Sequence, residues 1–226
     1  MDYDWEFGAV FDNFDLLLAG LLNTLKLTAV SLIAGLALGL VIALLRLNKS
    51  KLVSAPIGFI IDFLRITPPL VQMMWVFFAL PILVDIQMTP FMAAWITLSV
   101  QSSAFFAELY RGGIISIERG QWEAARSLAM SRTAMMRRII LPQAITRMIP
   151  TMLERAIELL KTTSLVAAIS YADLLYQATQ VSQRTFRPLE VFTVCAVIYL
   201  LIILPASGFV RLTERRLARS GASTAG

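Results

Sequence analysis

The 226-residue chain contains no histidine. That absence removes His-ligated metal sites, Ser-His-Asp catalysis and a histidine proton relay together. There is one cysteine, Cys195, inside an apolar run, so no intrachain disulfide can form. Charged residues are also scarce, 15% against 58% hydrophobic, whereas a soluble domain carries about a quarter charged residues. No G-x-x-x-x-G-K-S/T occurs, nor G-x-S-x-G, H-E-x-x-H or C-x-x-C. The residues therefore support no enzyme and no metal site, and any energy for work must come from a partner or an ion gradient. The first 15 residues hold five acidic side chains and no basic one, so no cleavable signal peptide is expected.

What the chain does have is apolar length. Five runs stand out, at about 16–47, 55–80, 91–110, 149–169 and 190–210. Crossing a bilayer takes about 20 residues of helix, so the expected fold is an all-α polytopic membrane protein with five transmembrane helices. The net charge of +5 is no nucleic-acid signal, because Lys and Arg sit in loops beside apolar runs. They cluster at Arg46, Lys49 and Lys51, across 111–147, and at Arg211, Arg215, Arg216 and Arg219. Positive residues concentrate on the cytoplasmic side, which puts the acidic N-terminus outside and the C-terminus inside. The expected division is a periplasmic segment 1–15, a transmembrane domain 16–212, and a cytoplasmic tail 213–226 whose end, SGASTAG, is expected to be disordered. Arg184 and Arg187, in the expected outer loop 171–188, run against the charge rule.

Polar residues inside the runs are the candidates for function. Gly35 and Gly39, four apart, offer a small-residue face for close helix approach. Lys26 interrupts the first run, and Thr67-Pro68-Pro69 the second, where the prolines remove two backbone donors. Asp62 with Arg65, and Glu108 with Arg111, are three apart and near enough to pair on one helix face. Gln101, Ser102 and Ser103 form a polar cluster that either bonds neighbouring helices or lines a pathway. The fourth run carries Glu154, Arg155, Glu158 and Lys161. Ionisable groups at mid-helix cost about 2.5–3.5 kcal/mol each on insertion scales. They either neutralise one another or face a polar cavity. If they face a cavity, the carboxylates would meet an ammonium or guanidinium and Arg155 a carboxylate.

The longest polar interruption is Gly120–Pro142, GQWEAARSLAMSRTAMMRRIILP. Ala124, Ala125, Leu128 and Ala129 fall on one side of a helix, which suits docking on a soluble partner. This stretch resembles the EAA signature of bacterial ABC importer membrane subunits. Glu123-Ala124-Ala125 is followed at the family's spacing by Ala129 and then by Ile139-x-Leu141-Pro142. Ala129 stands where the pattern has glycine, which marks the place for an unusual turn. The chain is further similar to polar-amino-acid permeases of the histidine/glutamine type. The matching pieces are Gly20–Thr24 (GLLNT), Arg65–Leu70 (RITPPL), Ala107-Glu108 with Arg111-Gly112-Gly113, Gly120-Gln121, Leu141-Pro142-Gln143 and Lys161–Leu165 (KTTSL). Charges at Glu154, Arg155 and Glu158 depart from the asparagines and small residues common in that family.

The resemblance implies a permease subunit of an ATP-driven importer in the bacterial inner membrane. It moves a polar amino acid or amino-acid-like solute, zwitterionic or cationic, opine- and betaine-like solutes included. Its implied partners are a second permease subunit, identical or homologous, a cytoplasmic ATPase dimer, a periplasmic solute-binding protein and membrane lipid. ATP and Mg would sit on the ATPase, with no cofactor on this chain. Gly120, Glu123, Ala124, Ala125, Leu128, Ala129, Ile139, Leu141 and Pro142 would form the coupling element. Gly120 would break the chain before that helix, and Glu123 would sit near its positive N-terminal end. Two other readings of the residues are an ion-gradient-driven secondary transporter and a non-transporting membrane scaffold. Small size and the lack of an inverted repeat weigh against the first.

Overall fold

The computed structural model describes residues 3–48 and 50–222, so Lys49 and the tail beyond Ala222 lie outside the described residues. Those residues form helices and turns, with no strand among them. In chain order the helices are α1 (Gly8–Phe11), α2 (Phe14–Arg46), α3 (Lys51–Ile66), α4 (Pro69–Met74), α5 (Leu80–Val84), α6 (Pro90–Ile115), α7 (Arg119–Ser127), α8 (Arg132–Met135), α9 (Leu141–Thr162), α10 (Leu174–Thr185) and α11 (Pro188–Ala222). By length and apolarity α2 and α11 can each cross a membrane, and α3 with α4–α5 qualifies as a bent pair. The 26-residue α6 spans about 39 Å, and α9 adds a 3₁₀ segment, Thr163–Ile169. Both carry polar or charged residues along their length, so apolarity alone does not mark them.

Several expected boundaries shift. The basic stretch 111–147 is mostly helical, because α6 runs on to Ile115 and α9 begins at Leu141, not near 149. The expected outer loop 171–188 contains a whole helix, α10. The helix of the fifth run continues through Ala222 and takes in the first three residues of the SGASTAG end, the rest of which lies outside the described residues. Lys26 stays within the unbroken α2, its side chain exposed.

Proline shapes two helices in the same way. Pro81 and Pro142 each stand second in their helices, each after a leucine. Each is preceded by a five-residue π turn, Trp75–Ala79 and Met136–Ile140. Proline gives no N–H to the carbonyl four residues back and its ring crowds that carbonyl, so the turn before it widens. Thr67-Pro68-Pro69 goes further, and the two halves of the second run meet at 102°. Gln72 spans the break, with Nε2 donating to the carbonyls of Leu64 at 2.8 Å and Thr67 at 3.1 Å. Those acceptors would otherwise face hydrocarbon unpaired.

The central contact is α2 against α6. A Cβ on Gly35 would lie 2.7 Å from Ser102 Cβ, and one on Gly39 2.7 Å from Phe106 Cβ. The small-residue face is thus used within the chain, where only glycine lets the backbones approach this closely. Leu27, Met73, Leu98, Leu159 and Val166 fill the middle of the bundle, and Ala43, Ile61, Ala104 and Ala107 fill one end. Outward faces of α2 and α11, with Leu22, Ile33, Leu44 and Leu201, are apolar and exposed, as a lipid-facing surface must be.

The other end is pinned by polar contacts. Asn23 Nδ2 donates to Ala172 O at 2.9 Å, and Thr24 Oγ1 accepts from Leu174 N at 3.1 Å, so the GLLNT segment holds the start of α10. Tyr3 OH donates to Glu190 at 2.7 Å, and Arg187 pairs with Glu6 at 2.6 Å and Glu190 at 3.7 Å. Arg187's departure from the charge rule is therefore answered locally. Asp173, in the connection between the 3₁₀ segment and α10, caps α10 by accepting from Tyr176 N at 2.8 Å. Burial pushes its carboxyl up to about 6 against this capping bond. A raised folded-state value means the folded protein binds this proton more tightly than the unfolded chain, so stability falls as pH rises from about 4 to 6 and stays lowered above. Asp173→Asn keeps the cap and is expected to stabilise the detergent-solubilised protein by on the order of 2–3 kcal/mol at pH 7.5. The gain should shrink at pH 5 and vanish below about pH 4, which thermal melts across that range would check.

Candidate functional site

The expected site residues gather in two places. The first is the α7–α8 loop. Ala125 is 0% exposed and packs with Ile117, Met135, Ile140, Ala144 and Met148. Gln143 Nε2 donates to Ile139 O at 2.9 Å and to Gln121 Oε1 at 3.3 Å, tying α9 to α7. Arg147 donates to Ser116 O at 2.6 Å and approaches Glu118 at 3.6 Å. The expected one-sided Ala124–Ala129 face is therefore divided. Ala125 turns inward, Ile139 and Leu141 are half-buried, and Gly120, Glu123, Ala124, Leu128, Ala129 and Pro142 are exposed, Leu128 at 75%.

Two local expectations are corrected. Gly120 does not break the chain, because it is the second residue of α7, and a Cβ there would meet nothing within 4 Å. Glu123 is the fifth residue of α7, past the first turn where the helix dipole acts, so that dipole argument fails. The turn expected at Ala129 is present. Its φ is 50°, in the left-handed region. Ala129 N donates to Arg126 O at 2.9 Å and Met130 N to Ala125 O at 3.2 Å, which together make a Schellman ending. A Cβ in that conformation costs about 1–2 kcal/mol.

The second place is the charged face of α9 and the two cavities beside it. A cavity of about 510 Å³ between α9 and α11 is lined by Thr151, Glu154, Arg155, Ile157, Glu158, Lys161, Ser207, Val210 and Arg211. A smaller one, about 190 Å³, is lined by Arg65, Pro69, Gln101, Ser102, Phe105, Phe106, Arg155, Glu158, Leu159 and Thr162. Arg155 and Glu158 wall both. The structure thus brings Gln101 and Ser102 together with the charges of the fourth run. Among the described residues no ion pair joins Glu154, Arg155, Glu158 or Lys161 to any group. These charges form no close ion pair within the chain, although the Glu158 carboxylate still attracts the Arg155 guanidinium.

Of the two expected charge pairs one exists. Arg111 holds Glu108 at 2.6 Å, with Arg46 on the other side at 3.8 Å. Asp62 and Arg65 do not pair; Asp62 is exposed and the Arg65 guanidinium lies 5.3 Å from the centre of the Phe105 ring. Arg65, Phe105 and Thr162 are cavity residues that sequence reasoning missed. Arg65 was assigned to Asp62 by spacing alone, and only its place just before the Pro68 break hinted otherwise.

A helical membrane subunit with charge-lined cavities and a basic helical loop outside its bundle defines the membrane component of a transporter. The chain belongs to the family of binding-protein-dependent transport system inner membrane components, whose model matches residues 35–219. The glutamine transport system permease protein GlnP of Escherichia coli K12 is 36% identical over 218 residues, covering 96% of this chain and 99% of that protein. The arginine transport system permease protein ArtQ of Bacillus subtilis 168 is 34% identical over 216 residues, 94% of this chain and 97% of that one. A crystal structure of an amino acid ABC transporter with histidines matches with a TM-score of 0.90 and 34% identity, covering 95% of this chain and 100% of that chain. The methionine ABC transporter MetNI in an inward-facing form, at 21% identity and a TM-score of 0.69, shares the fold. The chain is thus a permease subunit of an ABC importer and not itself an enzyme. The secondary-transporter and scaffold readings give way to this.

Ala129→Gly removes the left-handed Cβ cost, and even after the greater unfolded-state freedom of glycine it is expected to stabilise by about 0.5–1 kcal/mol. A rise in the melting temperature of the purified protein would confirm this, and a fall would show that Ala129 makes a contact worth more than its strain.

Proposed function

We propose that this permease imports a polar amino acid or amino-acid-like solute, zwitterionic or cationic, by alternating access. The observation that carries this is α9, where charges of both signs wall two cavities without ion partners of their own. Side chains that costly at membrane depth are retained for a pathway. The glutamine, arginine and histidine systems among its relatives support the solute class. Five crossings are the reading that fits α2, the bent α3–α5 pair, α6, α9 and α11, with the N-terminus periplasmic and the basic loop cytoplasmic. In this reading the cytoplasmic side meets an ATPase dimer that binds ATP and Mg, the outer side meets a solute-binding protein, and a second permease subunit completes the pathway.

The docking surface is the free face of α7, with Gly120, Glu123, Ala124 and Leu128. Nothing inside the chain requires glycine at Gly120, which suits the close approach of another backbone. Glu123 offers an unpaired carboxylate to a basic partner group. Glu123→Arg should leave membrane levels and ATP hydrolysis intact while uptake falls about tenfold or more, because a reversed charge at an interface costs several kcal/mol and about 1.4 kcal/mol is tenfold. Uptake by this variant at the wild-type rate would sink the coupling role. For the pathway, Glu154→Gln and Glu158→Gln should each lower uptake with the ATPase complex still assembled. If neither changes uptake or solute-stimulated ATP hydrolysis, α9 does not line the route.

A further inference from the structure

Arg65 at the end of α3 and Arg155 on α9 reach the same aromatic ring. Their guanidinium carbons lie 5.3 and 3.4 Å from the centre of Phe105 on α6. Among the described residues neither guanidinium has a carboxylate at ion-pair distance or a hydrogen-bond acceptor. Five N–H donors per guanidinium are left to whatever enters the smaller cavity, which both line. A ring face attracts a guanidinium but accepts few of its hydrogen bonds, and two like charges over one ring repel. Such an arrangement is completed by an anion with oxygens to spare.

Glu158 lines the same cavity with its own carboxylate unpaired. At about 190 Å³ the space is below the roughly 300–1,000 Å³ of drug-sized sites, so it suits the head group of one small solute. The geometry points to Arg65 and Arg155, both set against Phe105, as a two-armed clasp for the carboxylate of the solute, with Glu158 taking its ammonium. This rests on the α9 pathway reading and deepens it. The permease itself, beyond any selection by a binding protein, would then reject solutes without a free carboxylate. Guanidinium and carboxylate match in bidentate geometry, and Phe105 orients the guanidiniums before the solute arrives, which lowers the ordering cost. An amide in place of the carboxylate leaves the guanidinium donors without their anion, the kind of mismatch that polar sites reject by large factors.

The test uses the purified permease–ATPase complex without binding protein, and the binding of labelled L-glutamine and L-arginine. L-glutaminamide and L-argininamide, which differ from them by loss of the carboxylate, should compete at least about 100-fold more weakly than the acids. Arg65→Gln and Arg155→Gln should each weaken binding about tenfold or more, and Arg155→Lys, which keeps charge but not the fork, should fall between. Amides that compete as well as the acids overturn the clasp, as does absence of saturable binding to the wild-type complex. If both Arg variants bind like wild type while Glu158→Gln does not, the clasp fails and the pathway stands. If all three bind like wild type, the pathway reading fails too. If the Arg variants fold but no longer assemble, by size exclusion, the pair holds subunits together and the clasp is overturned.

Discussion

An ionisable side chain at membrane depth must meet water, an opposite charge or a bound solute, because hydrocarbon leaves each one about 2.5–3.5 kcal/mol or more out of balance. Helix α9, in the five-crossing reading, carries four such side chains between Glu154 and Lys161, and the helices around it shelter part of them. The apolar α2 and α11 supply outward faces, while α6 turns its polar residues Gln101 and Ser102 toward α9. The π turn before Pro142 and the 3₁₀ segment after Thr162 bound the helix at its two ends. Even so, Glu154, Glu158 and Lys161 remain exposed in the single chain. A lone copy in a bilayer would present two carboxylates and an ammonium sideways. This is the physical ground for expecting a second permease subunit across an aqueous pathway.

The same helix explains how a cytoplasmic event could reach that pathway. Ala125 of α7 packs with Ile140 and Ala144, and Gln143 bonds back to Gln121. Ser131 caps α8 by accepting from Ala134 N at 3.3 Å. The proposed docking loop and the proposed pathway helix therefore share a small core. A displacement of α7 would be passed to the start of α9, and from there to charges roughly three and a half to five and a half turns further on. The Schellman ending at Ala129 fixes where α7 stops, so its free face keeps a defined angle to α9 despite the left-handed cost.

Some of this was legible in the residues and some was not, for physical reasons. Long apolar runs announced α2 and α11, and the tight α2–α6 crossing was written in Gly35 and Gly39. The left-handed turn was marked by Ala129 in a glycine position. Helix α10 was hidden because its sequence, LLYQATQVSQRT, is too polar to read as a span and lies between two of them. The 102° elbow was announced by Thr67-Pro68-Pro69, but neither its size nor the reach of Gln72 back to Leu64 and Thr67 was. Spacing alone paired Asp62 with Arg65, since i,i+3 proximity says nothing of a ring on another helix. The inward turn of Ala125 could not be told from the outward turn of Ala124, because both are small and adjacent.

Pairing of charges separates the parts of the molecule that hold shape from the part proposed to handle solute. Glu108 is held by Arg111 and Arg46, Arg187 by Glu6 and Glu190, and Glu118 by Arg147. Arg46–Glu108 joins α2 to α6, Glu118–Arg147 ties the start of α7 to α9, and Arg187 fastens the N-terminal segment through Glu6, while Glu190 is 0% exposed with its partners in place. A buried charge that loses its partner is strongly destabilising, so Glu190 with its partners locks the N-terminal segment to the start of α11. The cavity charges follow the opposite rule. Arg65, Arg155, Glu158 and Lys161 have no ion partner among the described residues, although Arg155 and Glu158 are three residues apart and lie in reach of pairing. Had they been kept for stability, closing that pair would have been the easy solution. Arg155 instead stacks on Phe105, which leaves its donors and the carboxylate of Glu158 facing open space. An arrangement that forgoes available ion pairs at membrane depth is stabilised only when something else enters to complete it.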